Sequence, residues 1–97
     1  MNKIYGIFKS EWDGEFQSTY LLGESLDDKD EICYSSKEKA IEAFNRIKEE
    51  LKQLYFSYGY NKECTSNETF DNEIIEYELT NKYGCTHSIT LQSIKLI

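Results

Sequence analysis

The single histidine, His87, stands two residues after Cys85, and a thiol beside an imidazole is the elementary pairing of nucleophile and base. On an extended strand, positions i and i+2 share a face, so the two side chains lie on one side. A working pair also needs a third group that orients the base, and no residue at a suitable spacing supplies one. With Cys33 or Cys64 the same pair would offer three of the four ligands zinc takes, yet no Cys-x-x-Cys or paired-histidine spacing is present. Asp27, Asp28, Asp30 and Glu31 carry the oxygen ligands calcium prefers, without the alternating positions and turn glycine of a calcium loop. The five glycines are scattered at turn positions, so no phosphate-cradling loop is formed. The expectation is a protein with no catalytic residue, no metal site and no cofactor.

Charge carries more information. The chain has 18 acids against 11 bases, a net charge of −7. That balance weighs against a nucleic-acid backbone or an anionic membrane as the natural partner and permits a basic one. Acidity is concentrated in two stretches: residues 63–80 hold six acids and no base, and residues 1–34 carry a net −5, while residues 35–62 and 81–97 each carry +2. Glu24, Asp27, Asp28, Asp30 and Glu31 make up the core of the first stretch, and Glu68, Asp71, Glu73, Glu76 and Glu78 most of the second. Side by side, they would form a patch that imitates nucleic-acid phosphates and enters a basic groove on another protein, with complementary potential steering the encounter. Tyr55, Phe56, Tyr58 and Tyr60 follow one another too closely to face one core, so some of them must lie outside it. Tyr55, Tyr58 and Tyr60 are therefore expected as aromatic anchors beside the acids. The same rings could stack on a base, with Lys37, Lys39 or Arg46 for the phosphate, which gives an alternative: a protein that sequesters a signalling nucleotide. A third reading is a structural domain that dimerises through an exposed strand edge.

The elements that must position these residues are legible in outline. Ninety-seven residues suffice for one domain, 1–97. Residues 3–10, apolar on both faces, predict a central strand, and Asp13-Gly14 a hairpin turn into a second strand over 16–22. The acidic run 24–31 is a loop. Ser35 and Glu38 are spaced as a capping box, and Ala40, Phe44, Ile47, Leu51, Leu54 and Tyr58 recur at helical intervals, predicting a helix over about 36–57 that Gly59 terminates. Residues 60–72 are polar and read as a loop. Ile75, Tyr77 and Leu79 alternate with Glu76 and Glu78 in a strand over 73–80, and 85–96 returns after the turn at Asn81–Gly84. Ile94 and Leu96 break the parity of Ile89 and Leu91, which calls for a bulge near Gln92–Ser93 or for a second sheet face that becomes buried. The fold class is α+β: a four-stranded antiparallel sheet with one long helix packed on it, in the order ββ-α-ββ.

Three cysteines without paired spacing argue for free thiols in a reducing compartment, and MNKIYGIFKS lacks the apolar core of a signal peptide. With no apolar run long enough to span a membrane, the expected location is the cytoplasm. The segment from Cys33 to Phe44, following the Ile-Tyr-Gly-Ile-Phe strand, resembles a pattern in small uncharacterised proteins of low-GC bacteria and their phages. In size, acidity and richness in Asn, Lys, Tyr and Glu, the chain is similar to phage-encoded inhibitors of bacterial defence such as anti-CRISPR proteins. That resemblance transfers no functional residue. It implies a non-catalytic inhibitor, working in the host cytoplasm by stoichiometric contact with a basic, nucleic-acid-binding defence effector.

Overall fold

The computed structural model describes residues 3–28, 30–68 and 74–95. Five strands, β1 (Lys3–Trp12), β2 (Gln17–Leu21), β3 (Lys62–Glu68), β4 (Ile74–Thr80) and β5 (Thr86–Lys95), form one antiparallel sheet in the order β2-β1-β5-β4-β3. The helix α1 (Lys37–Phe56) lies across β1, β5 and β4 on one face.

Strand β1 is central because both of its faces are apolar. Tyr5 and Ile7 point to the helix, where they meet Ile89 and Leu91 of β5 and Tyr77 and Leu79 of β4. Ala40, Ala43, Phe44, Ile47 and Leu51 close this core from the helix side. Gly6 is on the other face, where a Cβ would press on Leu21, Phe8 and Ile94, so the small residue lets these side chains pack over the strand.

The α+β class is as expected, with one strand more than the sequence suggested. Residues 62–68, expected within a polar loop, form β3, paired with β4 from Lys62↔Thr80 to Glu68↔Ile74. Hydrophobic alternation could not reveal this strand. It lies at the sheet edge with exposed side chains over Lys62–Ser66, and backbone pairing holds it. Charged and hydroxyl side chains are what an edge strand carries to discourage further pairing.

Three details also differ. The helix is capped by Ser36, whose Oγ accepts from the backbone N–H of Lys39 at 3.4 Å and donates to Glu38 at 3.0 Å, one residue later than the expected Ser35 cap. Leu54 and Tyr58 leave the apolar stripe for solvent, because the core below the last turn is filled by Tyr55 and Phe56. No bulge interrupts β5: its register with β1 is unbroken from Trp12↔Thr86 to Lys3↔Lys95, and Ile94 is half-buried on the second face, near Gly6. Among the described residues, no helix is long and apolar enough to cross a membrane.

Candidate functional site

The apolar phase of β1 does not stop at Ile7. It continues through Lys9 and Glu11, placing a lysine under the helix. Opposite Lys9 and Glu11, β5 presents Ile89 and His87. Lys9 is only 2% exposed, and its Nζ lies 2.9 Å from His87 Nδ1 and 3.1 Å from the Ser10 carbonyl oxygen. As an ammonium, Lys9 has donors only, so Nδ1 of His87 must be the unprotonated nitrogen and Nε2 carries the proton. Glu11 is the balancing carboxylate, 3.9 Å from the amine.

Aromatic rings roof this pair. Tyr55, in the last turn of the helix, stacks on the imidazole with centroids 3.8 Å apart and planes inclined by 16°. Tyr60 meets the same imidazole edge-on at 4.7 Å. Gly59 makes this possible: at a φ of +94° it reverses the chain so that Tyr60 folds back, its N–H donating to the Tyr55 carbonyl. Burial, with Lys9 beside it, pushes the imidazole down to about 4, while burial also lowers the Lys9 amine below its ordinary value. The histidine is therefore neutral at physiological pH, and the cluster is a hydrogen-bonded, desolvated support.

Above this support lies the end of the sheet. The β1–β2 hairpin tip, the β4–β5 turn and the end of the helix all converge here, because Trp12 pairs with both Gln17 and Thr86 and Lys62 pairs with Thr80. Asp13 orders the hairpin tip, its Oδ1 accepting from the N–H groups of Glu15 and Phe16. Asn81 orders the other turn the same way, accepting from Tyr83 and Cys85. These two turns hold large rings in water: Phe16 is 72% exposed, Tyr83 77%, and Trp12 is also exposed; Tyr58, past the helix, is 72% exposed. A first cleft runs between Trp12, Phe16, Tyr60 and His87, rimmed by Glu11 and Asp13. A second runs between Tyr58, Lys62, Lys82 and Tyr83.

The residues singled out by sequence are scattered by comparison. Glu24, Asp27, Asp28, Asp30 and Glu31 lie on the loop after β2, fastened to the helix by Arg46, which donates to the Glu24 carbonyl, and by Glu50, which accepts from Leu26 N–H. Asp28 faces its own loop: it accepts from Glu24 and Asp30 N–H and occupies the space a Cβ on Gly23 would need. These bonds hold its carboxyl below the usual range. Glu76 and Glu78 sit on β4, on the face away from the helix, with Thr90 and Thr80 hydroxyls donating to them. Strands β1 and β5 separate β4, with Glu76 and Glu78, from β2, which leads into the first acidic loop. Glu68 ends β3, and Asp71 and Glu73 lie outside the described residues. Of the tyrosines, Tyr58 is free in solvent, whereas Tyr55 and Tyr60 are engaged with His87. Lys37 and Lys39 stand at the other end of the helix, ~25 Å from these rings at 1.5 Å per residue.

Cys85 has no part in a pair with His87, whose ring is occupied by Lys9 and the two tyrosines. No group of three or more His, Cys, Asp or Glu side chains among the described residues could hold a metal ion. Lys9 was missed by sequence reasoning. Its signal was available: a lysine in phase with Tyr5 and Ile7 on the buried face of a central strand. Phe16 and Tyr83 were missed because turns carry no periodicity, and Trp12 because it ends β1 on the face away from the helix.

No protein-family model matches the chain, and neither a curated protein nor a solved structure is similar to it at a meaningful level.

Proposed function

We propose that this protein is a non-catalytic binding module that makes stoichiometric contact with a basic partner protein through the end of the sheet bearing Trp12 and Phe16. The observation that carries this reading is the gathering of exposed rings on two ordered turns, beside the carboxylates of Glu11, Asp13 and Glu15. Aromatic anchors on rigid turns contribute contact area with little entropy to lose, and acids around them repel wrong partners and speed the right encounter. The buried Lys9–His87 pair supports this platform from below. Asp27, Asp30 and Glu31 add long-range steering; Asp28 is committed to its loop. The resemblance to phage-encoded inhibitors suggests a nucleic-acid-binding defence effector as the partner.

The test is a pull-down from bacterial lysate at low and high salt. A protein with a basic surface, retained at low salt, released at high salt and captured less well by the Asp27→Asn, Asp30→Asn, Glu31→Gln variant, is the expected outcome. A wild-type protein that captures nothing at either salt would contradict the proposal.

A further inference from the structure

The second cleft at this end of the molecule has a chemistry of its own. Its lining is Tyr58, Gly59, Asn61, Lys62, Thr80, Asn81, Lys82 and Tyr83. None of these eight residues is acidic, although the chain as a whole carries −7. Neither Lys62 nor Lys82 is in an ion pair with an acid among the described residues, so both ammonium groups are available to an anion. Lys82 lies over the ring of Tyr83, 5.1 Å from its centroid, placing a positive charge beside an aromatic face. The two rings reach the cleft from different elements, Tyr58 from the end of the helix and Tyr83 from the β4–β5 turn, and both are mostly exposed.

The turn that carries Tyr83 is fixed before any ligand arrives. The Asn81 side-chain oxygen accepts from both Tyr83 and Cys85 N–H at 2.9 Å, and Gly84 takes the positive φ of +83° that closes the turn. With its oxygen engaged, the Asn81 carboxamide keeps its NH₂ as a donor. Stacking surface, two cations and neutral amide and hydroxyl groups (Asn61, Asn81, Thr80) are the components that recognise a base joined to a phosphate. The cleft has a volume of about 470 Å³, within the range of small-molecule sites. Two lysines suit one or two phosphate groups, while the surrounding negative field works against a longer polyanion.

We infer that the Tyr58–Tyr83 cleft binds a mononucleotide, with the base against the tyrosines and the phosphate between Lys62 and Lys82. This site shares no lining residue with the Trp12–Phe16 cleft, so nucleotide binding here is read separately from protein contact at Trp12 and Phe16.

The experiment is an amide-resonance titration of the full chain with AMP, GMP and UMP, and in parallel with adenosine and inorganic phosphate. The expected result is saturable perturbation of residues 58–62 and 80–85 by at least one nucleotide, in the micromolar to low-millimolar range, with adenosine and phosphate each much weaker. Tyr83→Ala should weaken that binding roughly tenfold, the order expected from one lost base stack. Lys62→Gln with Lys82→Gln should bring the nucleotide down to the affinity of the nucleoside. Both variants replace exposed side chains, and an unchanged spectrum elsewhere certifies the fold. Inorganic phosphate perturbing these residues as strongly as any nucleotide would overturn the inference, since it would reduce the site to a charge contact. So would the absence of saturable shifts at millimolar nucleotide, or binding that Tyr83→Ala leaves intact.

Discussion

The helix-covered face of the sheet has two halves that differ in kind. In one, Ile7, Ile89, Leu91 and Tyr77 meet Phe44, Ile47 and Leu51 in an apolar core. In the other, the same strands present Lys9, His87 and Glu11 under Tyr55 and Tyr60. A hydrophobic side chain at Lys9 would have continued the core at lower desolvation cost. The chain instead places a hydrogen-bonded polar cluster beneath the turns that hold its rings in water. The apolar half holds the fold together, and the polar half lies beneath the turns that the proposed contact uses.

The largest expected effect breaks the apolar half. Ile47→Ala, at a fully buried position, should cost about 2–5 kcal/mol of unfolding free energy. In a domain of this size that approaches the whole margin. Urea denaturation measures it, and Phe16→Ala, on the other end, should stay within about 0.5 kcal/mol of the wild type in the same assay. Equal losses would erase the distinction between the halves.

Acid should act on the polar half. The His87 imidazole is held down at about 4 in the folded protein, below its ordinary 6.5. Between these values the unfolded chain binds the proton and the folded one does not. The stability that this neutral histidine permits is complete above about pH 6.5 and is lost as pH falls toward 4, with a slope of at most ~1.4 kcal/mol per pH unit. Unfolding midpoints measured from pH 7.5 to 4.5 show whether the decline begins near 6.5; His87→Gln, which does not titrate, should flatten that part of the curve.

Lys9→Met sharpens the same point. Burial is the larger cause of the depressed imidazole and Lys9 the smaller. Removing the ammonium should raise the His87 titration midpoint by only part of its displacement, read from imidazole resonances. Full restoration to 6.5 would mean that the lysine, not burial, controls it.

The smallest effect lies outside both halves. The Tyr34 hydroxyl is buried without a hydrogen-bond partner among the described residues, at the isolated bridge Tyr34↔Tyr5. Tyr34→Phe should be neutral or stabilise by up to about 1 kcal/mol, since it removes an unsatisfied polar group. A clear loss in the denaturation assay would reveal a partner for that oxygen.

The apolar half was legible in the sequence for a physical reason. Burial on one face writes a period of 2 into β1, β4 and β5 and helical spacing into Ala40, Phe44, Ile47 and Leu51. Strand β3 was illegible because an edge strand with exposed side chains needs no period. The helix end was misread because Leu54 and Tyr58 keep the spacing of the stripe after the core beneath them has ended, and Tyr55 and Phe56 take their place. Charge clustering along the chain says nothing about clustering in space: the first acidic loop is fastened to the helix, whereas Glu76 and Glu78 sit on the opposite face of the sheet. The ring-bearing turns were assembled by topology alone, from segments as distant as Trp12 and Tyr83.

The central claim is that those turns form the contact surface, and a comparison of two variants tests it most directly. Affinity for the captured partner would be measured for wild type, for Trp12→Ala with Phe16→Ala, and for Glu76→Gln with Glu78→Gln farther along the sheet on β4. The account predicts a loss of at least tenfold for the first variant and near wild-type binding for the second. Unchanged affinity without Trp12 and Phe16, or a greater loss from the β4 acids, would contradict it and move the contact to the middle of β4.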